Sequence, residues 1–357
     1  MRPMTSRERG LALFARDIPD RVPRGYSANP GVHARVSEAL GIRMDDHEAL
    51  RQAFRLDFGG TNAFYDGPEI HEQIPDRHVD IWGVHSRWIE HGSGKYLDFC
   101  DFPLSDATED EIAAWPMPNP DHFNYSRIAD DCRSQREYCL SAGGAGTACI
   151  INRTAKLRGM EQILVDLMTD DPAGLLLIRR KQEIELEITR RTLEAGQGEI
   201  DFLWLGEDLG TQIGQMISLE LYRKHLRPSH QQFVDLAKSF DLPVMIHTCG
   251  SSSWVYEDFI EMGIDAVDTL QPEAVNMSPE YLKTHFDGRL SFHGCIPTGG
   301  VMADGTPEEV HRVVRDTLDT MMPRGGYALA PAHMLQDNTP TENVLAIYQA
   351  ADKYGNY

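Results

Sequence analysis

Hydrophobic positions in the second half of the chain change period in a regular way. Short apolar runs rich in β-branched and aromatic residues stand at 201–206, 243–246, 266–270, 290–292 and 327–330. Between them, apolar residues recur at helical spacing over 220–240, 254–262, 279–285 and 307–321. Start signals agree: Ser218 with Glu220, Ser278-Pro279-Glu280, and Thr306-Pro307-Glu308-Glu309, with proline in the first turn, where a helix has no use for its N–H. Strand and helix in alternation predict βαβ units and a parallel sheet, because a parallel return needs a crossover long enough to hold a helix.

The first half adds three candidate strands, at 21–25, 56–64 and 138–142, and a first helix started by Thr5 and Glu8 at capping-box spacing. Eight strands with helices between them predict an α/β fold, a (β/α)8 TIM barrel. Such a barrel needs roughly 250 residues. The chain, read as one barrel domain over 1–357, therefore carries N-terminal insertions, placed at 65–136. An open doubly wound sheet is the rival; it expects a GxGxxG turn, and Gly143-Gly144-Ala145-Gly146 lacks that spacing. The proline-rich stretch at 115–120 reads as an ordered loop within the domain.

In a barrel of this kind the loops after the strands build the accessible mouth. The expected strands end in Glu207-Asp208, His247-Thr248-Cys249, Gln271, His293-Gly294-Cys295 and His333. A buried strand gains nothing by ending in potential ligands, so their convergence is the main functional signal. Positions i and i+2 of a strand point the same way, so His247 and Cys249 can share one ion, and zinc accepts that N/S mixture. Chance alone gives about 0.24 such H-x-C pairs in this composition; the position at a strand end is what singles this one out. A third ligand is sought among His333, Cys295, His293 and Glu207, with His333 preferred and Glu207 next. Glu207 and Asp208 are the candidate catalytic carboxylates, one as a further ligand or general base while the other caps the following segment. Cys295 reads as a small buried filler or a reactive thiol. Tyr26, Asn29 and Asn62, near the ends of the early strands, are expected with Gln271 and His293 to line a substrate pocket.

Composition narrows the class. The chain has 34 Lys and Arg against 55 Asp and Glu, a net charge of −21, and no basic stripe, which disfavours nucleic acid as a partner. Its longest apolar runs fall short of a membrane span, and the charged start lacks the apolar core of a secretory leader. Six cysteines in 357 residues are too few for a disulfide scaffold, so reduced thiols and a cytoplasmic location are expected.

Several stretches resemble the uroporphyrinogen decarboxylase superfamily. They are GEDLGTQIGQMIS from Gly206 to Ser218, His247-Thr248-Cys249-Gly250, Phe292-His293-Gly294, Gly305-Thr306-Pro307-Glu308-Glu309-Val310, Ala332-His333, and Pro340-Thr341-Glu342-Asn343-Val344. Asp20-Arg21-Val22-Pro23, Tyr65-Asp66-Gly67-Pro68 and Trp82-Gly83-Val84 fit the same group. The resemblance spans nearly the whole chain and implies a single (β/α)8 barrel. One branch of that superfamily removes carboxyl groups from uroporphyrinogen without a cofactor, using an Arg-Gln-Ala-Gly-Arg-type motif and an aspartate on the pyrrole nitrogens. Here the early region reads Val22-Pro23-Arg24-Gly25-Tyr26-Ser27-Ala28-Asn29, which departs from that motif; Asp57 precedes Phe58-Gly59-Gly60.

The other branch, corrinoid-linked methyltransferases, holds zinc through an H-x-C pair and a later cysteine. His247 and Cys249 match the pair, and His333 stands at the later position. The expected function is therefore a zinc-dependent methyltransferase with His247, Cys249 and His333 as ligands, acting on a small O-, N- or S-methyl compound or a thiol. The corrinoid would be supplied by a partner protein, since no D-x-H-x-x-G signature is present. A homodimer is compatible with this reading. The alternatives are a cofactor-free carboxy-lyase, which would need Arg24, Arg153 and Arg158 to hold carboxylates, and a metal or corrinoid carrier without turnover.

Overall fold

A computed structural model describes residues 3–91 and 94–357; Met1 and Arg2, which open the charged start, lie outside them. Seven strands form one parallel sheet in chain order: β1 (Phe58–Gly60), β2 (Cys139–Gly143), β3 (Phe202–Gly206), β4 (Val244–His247), β5 (Ala266–Leu270), β6 (Ser291–Ile296) and β7 (Tyr327–Pro331). The segment expected as a strand at 21–25 takes the eighth place between β7 and β1. Leu329 N–H donates to Pro23 O and Gly25 N–H to Leu329 O, both at 2.8 Å, and Asp57 N–H donates to Arg24 O at 3.0 Å on the other side. Pro23 has no N–H to give a ladder, which is why this stave pairs through single bridges. Asp57, fully buried, locks the seam: its carboxylate accepts from Arg21 Nη1 at 2.6 Å, Arg21 Nη2 at 2.9 Å and Arg24 N–H at 2.9 Å. The result is a (β/α)8 barrel.

Its floor is a helix. Thr5 and Glu8 form the expected capping box at the start of α1 (Ser6–Ala15). Leu13 and Phe14 of α1 pack on Cys139, Phe202, Met245, Ala266 and Ala328, the inward side chains at the N-terminal ends of their strands. Gly10 permits the close approach, since a Cβ there would lie 2.2 Å from that of Cys139. The alternate residues Leu140, Leu203, Leu205, Val244, Ile246 and Val267 join the larger core under the surrounding helices. With the N-terminal end plugged, the barrel opens only at the carboxyl ends of its strands.

Between β1 and β2 the chain leaves the barrel. Phe64–Tyr65 pairs with Phe123–Asn124, so the strand expected over 56–64 is cut to three residues. His78–Val79, His85–His91 and Gly94–Cys100 make a small antiparallel sheet. Trp82, Val84, Leu104 and Ile112 of this excursion pack on Leu157 of α2 (Ile151–Arg158) and on Ala173 and Leu177 of α3 (Pro172–Ala195). Trp115, at the head of the proline-rich stretch, donates its indole N–H to Trp82 O at 3.0 Å. The helix expected over 220–240 carries a π turn at Tyr222–Leu226. Pro228 follows it and cannot donate back, so the turn widens there.

Candidate active site

β4, β5 and β6 are in register at His247, Asp268 and His293, so three neighbouring strands place an imidazole, a carboxylate and an imidazole side by side. Asp268 Oδ2 lies 2.9 Å from His247 Nδ1, and its Oδ1 lies 2.5 Å from His293 Nδ1. Burial alone would raise the Asp268 carboxyl. The charge of His293 and the hydrogen bonds of both histidines outweigh it and hold the group well below the usual carboxylate range. Burial would lower His247, but the Asp268 hydrogen bond and the charges of Asp268 and Asp208 leave the imidazole raised. A carboxylate on Nδ1 fixes the ring's proton there and leaves Nε2 free to bind.

His247 Nε2 faces Cys249 Sγ at 3.4 Å and Asp208 Oδ1 at 3.7 Å. Among the described residues, Asp208, His247 and Cys249 form the group of potential ligands whose donor atoms all lie within 4.8 Å of one another. Asp208 is held from two sides: Cys249 N–H donates to its Oδ1 at 3.0 Å and Asn152 Nδ2, on α2, to its Oδ2 at 2.6 Å. The Cys249 thiol is pushed far up by burial and by the Asp208 charge beside it. One imidazole nitrogen, one sulfur and one carboxylate oxygen thus converge on a single point, a set of donors that could hold a metal ion. The donor set fits zinc.

Adjacent carboxylates on a strand end point to opposite sides, and here they part company. Glu207 turns inward, 1% exposed, and accepts from Ile150 N–H at 2.6 Å and Ile151 N–H at 3.1 Å at the start of α2, with His230 Nε2 3.5 Å away. It therefore anchors a helix, and the expected ligand or catalytic role does not fit its position. His333 lines the mouth but stands outside the group of potential ligands, where Asp208 is the residue beside His247 and Cys249. Cys295 is wholly buried and its thiol is raised by desolvation, which suits a filler.

A cavity of about 550 Å³ fills the mouth. Its lining includes the polar side chains of His247, Asp268, Thr269, His293 and His333 and the apolar ones of Leu56, Phe58, Phe202, Trp204 and Met245. Tyr26 also lines it, with its hydroxyl unpartnered and pushed up to about 12 by burial. The other expected pocket residues do structural work outside this cavity. Asn29 precedes the helix Pro30–Leu40 without capping it through its side chain, which donates to Gln336 Oε1 at 3.4 Å; Asn62 exchanges hydrogen bonds with Gly143, and Gln271 Oε1 accepts from Gly250 N–H at 2.8 Å and steadies the loop carrying Cys249. The arginines a carboxy-lyase would need are also engaged: Arg24 with Asp352, Arg158 with Asp166, and Arg153 with Glu185 in a separate side cavity. Asp268 and Thr269 escaped the sequence reading, although an aspartate inside the otherwise apolar run at 266–270 is a signal, since buried carboxylates need partners.

Fold and site together define a (β/α)8-barrel protein with an N, S and O donor cluster at its C-terminal mouth. The chain belongs to the uroporphyrinogen decarboxylase (URO-D) family, whose profile matches residues 148–354, more than half of its length. It is 28% identical over 137 residues to a methylated-thiol–coenzyme M methyltransferase of Methanosarcina mazei, covering 38% of this chain and 34% of that protein. It is 21% identical over 140 residues to the methylcobamide:CoM methyltransferase MtbA of Methanosarcina acetivorans, covering 39% of each. The chain thus matches little more than a third of the length of these curated relatives. A solved methyltransferase from Methanosarcina mazei shares the fold at a TM-score of 0.70 and 13% identity, over 98% of this chain and 99% of that one.

Proposed function

We propose that this chain is a zinc-dependent methyltransferase that moves a methyl group between a small O-, N- or S-methyl compound or a thiol and a corrinoid carried by a separate protein. The observation that carries the reading is the meeting of His247, Cys249 and Asp208 donor atoms within 4.8 Å at the open end of a URO-D barrel. The names of the two curated relatives support it. Zinc held by His247, Cys249 and Asp208 would supply Lewis acidity toward the heteroatom that gains or loses the methyl group.

The chain's own groups prepare that centre. Asp268 keeps the His247 proton on Nδ1, and Asn152 fixes the Asp208 carboxylate. Cys249 gives up its proton on binding a cation, so affinity falls in acid. The apolar lining of Phe58, Phe202, Trp204 and Met245 takes the apolar body of the methylated compound and excludes water, while His293, His333 and Tyr26 offer polar contacts. Six free cysteines among the described residues favour a reducing, cytoplasmic setting.

Metal analysis of protein purified without added zinc is expected to give about one zinc per chain, lost in His247→Ala and Cys249→Ala. Zinc-loaded protein is expected to change the absorbance of free methylcobalamin in the presence of an acceptor from a panel of thiols. A metal-free wild type that behaves like its H247A variant ends this reading.

A further inference from the structure

The strand that carries Asp268 is not regular. Its pairing with β6 runs Asp268↔His293 and then Leu270↔Gly294, so Thr269 is an extra residue bulged out of the ladder. Thr269 sits at φ +63°, a left-handed conformation that a β-branched residue enters only under strain. The neighbouring strand is bent to match: Gly294 has φ +128°, and a Cβ on it would come within 2.9 Å of Leu270 N. Bulges and strained residues persist where the surrounding structure forces them, and they cluster at functional sites.

This bulge has a specific product. It brings the Thr269 hydroxyl, on a buried residue, to 2.6 Å from His247 Nδ1 and 3.1 Å from Asp268 Oδ2. The hydroxyl donates to the Asp268 carboxylate, which leaves its lone pairs to accept from the N–H on His247 Nδ1. The imidazole proton is then shared between a carboxylate oxygen and a hydroxyl oxygen on one side of the ring. Two contacts fix the ring plane where one would leave it free to swing, and the opposite nitrogen, Nε2, is aimed at Cys249 and Asp208. A regular strand would turn residue 269 away from the barrel interior.

We infer that Thr269 is a positioning residue, held in a strained bulge so that its hydroxyl orients His247 for the cation. The inference rests on the metal-centred reading above. It makes one distinctive claim: the strain costs stability and is kept for binding.

Three variants test it, read by zinc affinity in competition with a chromophoric chelator and by urea unfolding of the metal-free protein. Thr269→Ser keeps the hydroxyl and is expected to bind zinc like wild type. Thr269→Val keeps the shape without the hydroxyl and is expected to weaken binding by about 10- to 100-fold. Thr269→Gly relieves the backbone and is expected to unfold at a urea concentration no lower than wild type, yet to bind as weakly as the valine variant. Wild-type affinity in T269V or T269G overturns the inference and leaves the metal reading intact. A wild type that binds no zinc overturns both, and a weakened T269S assigns the effect to packing and overturns the inference alone.

Discussion

At the scale of single residues, two adjacent carboxylates have opposite duties. Asp208 looks toward His247, whereas Glu207 is buried and takes two N–H groups at the start of α2. Removing Glu207 leaves those donors buried without a partner. Glu207→Ala is expected to lower unfolding free energy by about 3 kcal/mol in urea titrations while still binding zinc. Asp208→Ala should do the reverse, with weaker zinc binding and nearly unchanged stability of the metal-free protein. The sequence announced a pair of acids at a strand end. It did not say which one faced His247, because that depends on how the end of β3 packs against β4 and α2.

At the scale of elements, the local signals were legible. Thr5 with Glu8 and Thr306 with Glu309 form capping boxes, and the helix expected over 307–321 runs Pro307–Met321. These features were readable because caps and apolar periods are settled within a few residues. The segment expected as a strand at 21–25 takes the eighth place through single bridges in place of a full ladder, since Pro23 has no N–H and its partners, β7 on one side and Asp57 on the other, are remote in the chain. The same corner offers a pH test. Arg9 of α1 holds the Asp20 carboxyl at about 2, chiefly through its hydrogen bond, against a usual 3.8. A carboxyl lowered by folding contributes stability that is fully present above its unfolded value, near 3.8, and is lost as pH falls through about 2. Urea midpoints of wild type and Asp20→Asn are therefore expected to differ at pH 6 and to converge as the pH is lowered toward 2.

At the scale of the whole molecule, α1 closes one end of the barrel, and the chemistry gathers at the other, where β4, β5 and β6 end. Because the donors come from different strand ends, a cation bound there ties those elements together and favours the folded state. Zinc at a hundred times its dissociation constant is expected to stabilise the wild type by about 2.7 kcal/mol, seen as a raised melting temperature that His247→Ala abolishes. Taken alone, the sequence determined the alternation of strand and helix, the closed barrel as its solution, and the His247 and Cys249 pair at a strand end, since all three follow from spacing along the chain. Tertiary structure alone placed Asp208 rather than His333 beside His247 and Cys249, turned Glu207 to the start of α2, and put Asp268 and Thr269 behind His247. Those outcomes depend on the register between strands and on one bulged residue, and neither is written in the spacing of any single segment.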